Sequence, residues 1–209
     1  KVHVINIDPR ASTVHWRFTE PSGRQVVLEI VDETMRFYDN PLGVLTNSPG
    51  LEWHWTNLNN YINLQPGTPP EHDYGPLQMK TFGHGAGLLG LPGDFTPPSR
   101  FVRATFFQLT APQQPSAQDG VFQAFHILNN FDIPTGSEQP WGKASSDVPS
   151  ATQFTVATDT QNRMIYYRTM YNGNIRCIDL KTVDFEKARY YSMPLDNEQK
   201  QPVERIDIK

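Results

Sequence analysis

The run from Gly83 to Phe101, GHGAGLLGLPGDFTPPSRF, gathers residue types that could do chemistry. Gly85, Gly87 and Gly90 spell GxGxxG, a spacing that lets backbone approach a pyrophosphate. That use needs a strand directly before the glycines and a helix directly after them. Here the preceding segment is short and contains a proline, and LPGDFTPPS follows, with Pro92, Pro97 and Pro98. Prolines so spaced do not form a helix directly behind the glycines. The glycines therefore read as a loop that needs left-handed backbone or close chain approach, with no nucleotide. Two residues nearby carry other chemistry. Asn47 ends the apolar run GVLTN before a Pro turn, and an Asn amide can donate to a developing oxyanion. Arg100 follows the glycine loop at a helix start, where a guanidinium can clamp a carboxylate or tune a thiolate. Each also has a plain structural reading, a turn Asn and a surface Arg.

The remaining candidates read as structural. The histidines, at 3, 15, 54, 72, 84 and 126, stand at no ligand spacing, and neither HExxH nor CxxC occurs. No metal and no cofactor is expected. GxSxG is absent, which removes the α/β-hydrolase nucleophile elbow. His126 reads as a helix residue and His54, between Trp53 and Trp55, as packing or surface. Asp94 reads as a turn or cap residue. Cys177, the single cysteine, lies among Ile175 and Ile178 in a strand-like run and reads as a buried, inert thiol. A net charge of -4 with no Lys/Arg stripe argues against nucleic acid or an acidic membrane as partner. No apolar run approaches the length of a membrane span.

Elements must bring these residues together. The chain of 209 residues suits one sizeable core, and 1–209 is read as a single domain. The opening KVHVINIDPR is strand-like. Val14, Trp16 and Phe18 alternate with polar residues, PSGR is a turn, and QVVLEIV and MRFYDN continue an antiparallel meander. PLGVLTN is expected as a further short strand. The period then changes: Leu51, Trp55, Leu58 and Ile62 mark a helical face. Further helices are expected from Pro98–Ser99, with Phe101, Thr105 and Leu109 on one side, and over DGVFQAFHILNNF, with Val121, Phe125 and Leu128. The tail returns to strands in TQFTVATD, RMIYYRTMY and NIRCIDL, with Asn172-Gly173 as a hairpin turn. Strands, then helices, then strands argue for an α+β protein.

Two long motifs, YDNPLGVLTNSPGLEWHWTNLNNYINL and GHGAGLLGLPGDFTPPSRFVRATF, with the later IYYRTMYNGNIRCIDL, closely resemble the choloylglycine hydrolase family. That family holds penicillin V acylases and conjugated bile salt hydrolases. The resemblance implies the N-terminal nucleophile (Ntn) hydrolase fold, an αββα four-layer sandwich with antiparallel sheets. It implies hydrolysis of a linear amide with an apolar acyl group by an N-terminal Cys whose own α-amino group is the base. Asn47 matches the family's oxyanion-hole Asn, and Arg100 its Arg beside the nucleophile. Arg103, one turn on, is the poorer match. Residue 1 is Lys, so the chain is expected to be the C-terminal portion of the domain, inactive until a Cys-bearing N-terminal segment or chain completes it. The Trp pair in GLEWHWTNL favours penicillin V or acyl-homoserine-lactone amides, with bile salt amides as the alternative and a non-catalytic acyl-ligand-binding protein as a further one. A bacterial, periplasmic location (cytoplasmic as the alternative) and a homotetramer are further implications of the resemblance.

Overall fold

The structure is a computed structural model that describes residues 14–32, 34–143, 150–187 and 200–208. The chain divides into two compact units, 1–112 and 113–209.

In the first unit, β1 (Trp16–Thr19), β2 (Gln25–Val31) and β3 (Thr34–Asp39) form an antiparallel meander in that order. The PSGR turn works as its composition predicts: Gly23 takes φ 87°, and its N–H donates to the Glu20 carbonyl at 2.9 Å. The central strand β2 pairs on both sides, Leu28 opposite Trp16 and Phe37, and Val27, Leu28 and Glu29 are buried. Its β-branched residues suit that position. Val14 and Phe18 are both exposed, so the alternation of β1 does not mark a buried face. The strand-like opening of the chain lies outside the described residues.

PLGVLTN is not a strand. Asn40, buried directly after β3, gives its backbone N–H to the Gln25 carbonyl at 2.8 Å and its Nδ2 to the Val44 carbonyl at 3.0 Å. Gly43 N–H closes the turn onto the Asn40 carbonyl at 3.2 Å. These bonds bend 40–44 into a loop, and its apolar residues enter the core as loop residues. α1 (Leu51–Asn57) follows and passes into a 3-10 turn, Leu58–Tyr61. Ile62 lies past its end and is 89% exposed, so the expected helical face stops at Leu58.

The expected breaker region contains a hairpin that local pattern did not reveal, β4 (His72–Tyr74) with β5 (Leu77–Met79). The glycines then fold as a loop. Gly85, at φ 89°, opens a 3-10 turn, Ala86–Leu88. Gly87 is buried where a Cβ would stand 2.3 Å from the Gln65 carbonyl oxygen. α2 (Pro97–Thr110) starts one residue earlier than expected, with its prolines in the first turn, where their missing N–H costs nothing. Phe101 and Thr105 are buried, but Leu109 is exposed. Val27, Val44, Leu51 and Phe101 form the buried cluster of this unit, flanked by Tyr38, Leu42, Leu45 and Trp55. Each such side chain contributes roughly 1.5–3 kcal/mol by burial.

In the second unit, α3 (Ala117–Leu128) is capped by Ser116, whose Oγ accepts from the Asp119 N–H at 3.1 Å. It packs on β6 (Phe154–Asp159), the first strand of an antiparallel sheet with β7 (Met164–Thr169) and β8 (Asn172–Asp179). The β7–β8 hairpin turns at Met170-Tyr171, because Thr169 pairs with Asn172. Asn172-Gly173 thus opens β8 and does not form the tip. Cys177 is exposed on β8, not buried. Its neighbour Ile178, on the other face of the strand, is exposed as well, so the apolar run does not bury this end of β8 on either face.

Candidate active site

Asn47 lies in the loop between β3 and α1, and three elements hold that loop. Glu29, a buried carboxylate on β2, accepts from the Leu51 N–H at 3.0 and 3.2 Å. It serves the first turn of α1 because Gly50, before it, has no side chain to do so. Its other partner is His15 Nδ1, at 3.0 Å. Thr46 Oγ1 donates to the Pro97 carbonyl at 3.1 Å and so ties the loop to the start of α2. His54 on α1 is completely buried, and its Nε2 lies 3.0 Å from the Asn47 carbonyl oxygen.

Arg100 reaches across from α2. Its Nη2 donates to Asn47 Oδ1 at 2.6 Å, and its Nε donates to the Phe95 carbonyl at 2.9 Å. A guanidinium only donates, so the carboxamide oxygen must face Arg100. Nδ2 is thereby turned away from Arg100, with its hydrogens available for an acceptor. The two candidate residues are 53 positions apart in sequence and in direct contact.

Arg103 has a different task. It is buried, and its Nη1 donates to the carbonyls of Pro92 and Asp94 at 2.7 and 2.6 Å. Burial pushes its pKa down, opposed by the Asp94 charge. Asp94 braces the same loop from outside. Its carboxylate accepts from Ser99 Oγ at 2.6 Å, Thr96 N–H at 2.9 Å and Thr96 Oγ1 at 2.5 Å. The Ser99 hydroxyl, followed by the Thr96 hydroxyl and amide, holds the Asp94 carboxyl down at about 2. The GDFTPPSR run is therefore a braced turn whose product is the direction of Arg100.

A preorganised amide donor beside a fixed positive charge can stabilise an oxyanion formed from a carbonyl. The sequence model of the linear amide C-N hydrolases, choloylglycine hydrolase family, matches residues 2–199. The chain belongs to this family. A bile salt hydrolase/transferase from Clostridium perfringens (strain 13 / Type A) is 37% identical over 81% of the chain and 50% of its own length. One from Lactiplantibacillus plantarum is 33% identical over 95% of the chain and 61% of its own length. A crystal structure of a mutant conjugated bile acid hydrolase from Clostridium perfringens has a TM-score of 0.76 at 31% identity. It covers 92% of this chain and 57% of that one. Penicillin V acylase from Agrobacterium tumefaciens has a TM-score of 0.60 at 20% identity over 84% of this chain and 48% of that one, which shows the fold alone. The chain spans half to three fifths of the length of the curated relatives it matches.

These likenesses bear out the family, and with it the Ntn-hydrolase fold and its α+β class with antiparallel sheets. They support the bile salt alternative better than the penicillin V or acyl-homoserine-lactone reading, since the sequence relatives quoted are bile salt hydrolases. Residue patterns singled out Asn47 and Arg100 but missed Glu29, Thr46 and the place of His54. Only Glu29 left a trace, as a lone charge in the apolar run QVVLEIV, which calls for a buried partner.

Proposed function

We propose that this chain supplies the oxyanion-binding side of an amide hydrolase acting on amide-conjugated bile acids. The observation that carries the reading is the Arg100–Asn47 contact, which orients the Asn47 carboxamide with Nδ2 as the available donor. Attack of a thiolate on the substrate amide carbon moves the carbonyl electron pair onto oxygen. Asn47 Nδ2 donates to that oxygen, and the Arg100 charge favours the negative tetrahedral state. Collapse expels the amine, which takes a proton. Water then attacks the acyl-enzyme and frees the acid.

The nucleophile in this reading is an N-terminal Cys on the portion of the domain outside residues 1–209, with its own α-amino group as base. Cys177 is unsuited to that part: it lies mid-strand and has no α-amino group. The bile acid assignment rests on the two bile salt hydrolase/transferases at 37% and 33% identity. A homotetramer is proposed with it, to be checked by light scattering.

The test is hydrolysis by the complete protein, Cys-bearing segment included. It is offered an amide-conjugated bile acid, penicillin V and an N-acyl homoserine lactone, and the released acid is identified by mass spectrometry. Release of the bile acid with the highest kcat/KM supports the proposal. Preference for either other amide moves the substrate, and binding without any release makes the protein an acyl-ligand binder.

A further inference from the structure

His54 lies at the centre of the contacts that shape the Asn47 loop. Its ring stacks on Phe101 of α2, with centroids 4.6 Å apart and planes 9° from parallel. The neighbouring Trp53 meets it edge-on at 5.4 Å. Nε2 lies 3.0 Å from the Asn47 carbonyl oxygen and 3.3 Å from Thr46 Oγ1. Thr46 spends its one hydroxyl hydrogen on the Pro97 carbonyl, so toward His54 it can only accept. The Asn47 carbonyl only accepts as well. Both contacts therefore place a hydrogen on Nε2. Among the described residues the buried Nδ1 has no hydrogen-bond partner, and a second proton there would sit as an unsatisfied charged donor. The imidazole is thus neutral, in its Nε2–H tautomer. Burial is the main influence that pushes its pKa down, and His15 acts the same way. The Asn47 carbonyl, the Glu29 carboxylate and the Pro49 carbonyl oppose it.

We propose that His54 is a positioning residue for the Asn47 donor: its neutral imidazole donates from Nε2 to the Asn47 carbonyl and fixes the backbone from which the carboxamide reaches Arg100. The inference rests on Asn47 being the oxyanion donor. Arg100 holds the carboxamide and His54 holds the backbone beneath it, so the donor has two anchors from two helices. Release of the second anchor leaves the Arg100 contact possible but no longer fixes its direction, and an oxyanion donor depends on direction.

The experiment uses the complete protein that carries residues 1–209. Nitrogen-15 imidazole NMR of the wild type is expected to show a protonated Nε2 and a bare Nδ1 for His54 at neutral pH. His54→Phe keeps an aromatic ring on Phe101 and removes the donor, whereas His54→Gln keeps an N–H. H54F is expected to shift the Asn47 carbonyl carbon-13 resonance and to lower kcat for amide hydrolysis about tenfold, the worth of one hydrogen bond. KM stays within about twofold, because the loss falls on the transition state, and H54Q recovers most of the rate. A proton on Nδ1 in the wild type, an unmoved Asn47 resonance in H54F, or an unchanged kcat there overturns the proposal. Should H54F fail to fold, the wild-type tautomer and the rate of H54Q decide: an Nε2–H with near-wild-type turnover upholds it, and an Nδ1–H or a rate as low as that of Asn47→Ala overturns it. A wild type that hydrolyses no amide sinks the proposed function instead. The NMR measurements then still decide whether His54 holds Asn47.

Discussion

At the scale of single residues, Asn47 is useful to an oxyanion only if its carboxamide is held the right way round. Arg100 does this by chemistry, since it has no acceptor with which to tolerate a flipped amide. Asn47→Ala is expected to cost roughly 2.7–4 kcal/mol of transition-state stabilisation, a fall of about 10²–10³ in acylation rate. Single-turnover kinetics of the complete protein would check this, and an unchanged acylation rate would remove Asn47 from the mechanism. Arg100→Ala is expected to abolish most activity while thermal unfolding stays close to wild type. Arg100→Lys should not rescue it, because a lysine cannot serve the Asn47 and Phe95 oxygens with one planar fork. Wild-type kinetics in Arg100→Ala would return Arg103 to consideration. The contacts divide the two arginines otherwise: Arg100 reaches Asn47, and Arg103 is bound to the carbonyls of its own loop.

At the scale of elements, the loop before α2 matters because it aims Arg100. Its glycines serve approach of one chain segment to another. The Gln65 N–H donates to the Gly87 carbonyl at 3.0 Å, and the Gly87 N–H donates to the Gly67 carbonyl at 2.9 Å. An added methyl at Gly87 would meet backbone on both sides, at 2.3 Å from the Gln65 oxygen and 3.0 Å from that of Gly67. Backbone cannot swing aside as a side-chain end can. Gly87→Ala is therefore expected to destabilise the protein by about 1–3 kcal/mol, the usual cost of overpacking. A shift of the urea midpoint at unchanged slope would show it. An unshifted midpoint would mean that the paired segments separate at little cost.

At the scale of the whole molecule, two groups make stability depend on pH in the same direction. The His54 pKa is lowered from 6.5, first by burial, and that of Asp94 is lowered from 3.8 to about 2, first by Ser99. In both cases the unfolded chain binds more protons than the folded one as pH falls, so acid destabilises. The His54 contribution is complete above 6.5 and is lost as pH falls toward its lowered folded value. The Asp94 contribution is complete above 3.8 and is lost as pH falls to about 2. Asp94 is solvent-exposed, so screening keeps its share small. His54→Gln is expected to flatten the fall in Tm below about pH 6.5, and Asp94→Asn to flatten only the part below about pH 4. A parallel Tm profile for His54→Gln would show that another group sets the upper limb.

The sequence by itself determined the local elements and the family. The β-branched apolar run QVVLEIV marked β2 and MRFYDN, continuing it, marked β3; the 3.6-residue period marked α2 and α3, and two long motifs identified the choloylglycine hydrolase family. The prolines after Gly90 were enough to remove the nucleotide reading of the glycines. These features are local: each depends on residues within one element or one turn. Tertiary structure alone decided the rest. It made PLGVLTN a loop, because Asn40 turns the chain before a strand can extend. It chose Arg100 over Arg103 as the partner of Asn47, since two arginines three apart on one helix look alike until the helix is packed. It buried His54 under Asn47 and left Cys177 exposed. Periodicity records which face of an element is buried, but not which element lies against it. The Arg100–Asn47 contact, made across 53 residues of chain, depends on that second fact.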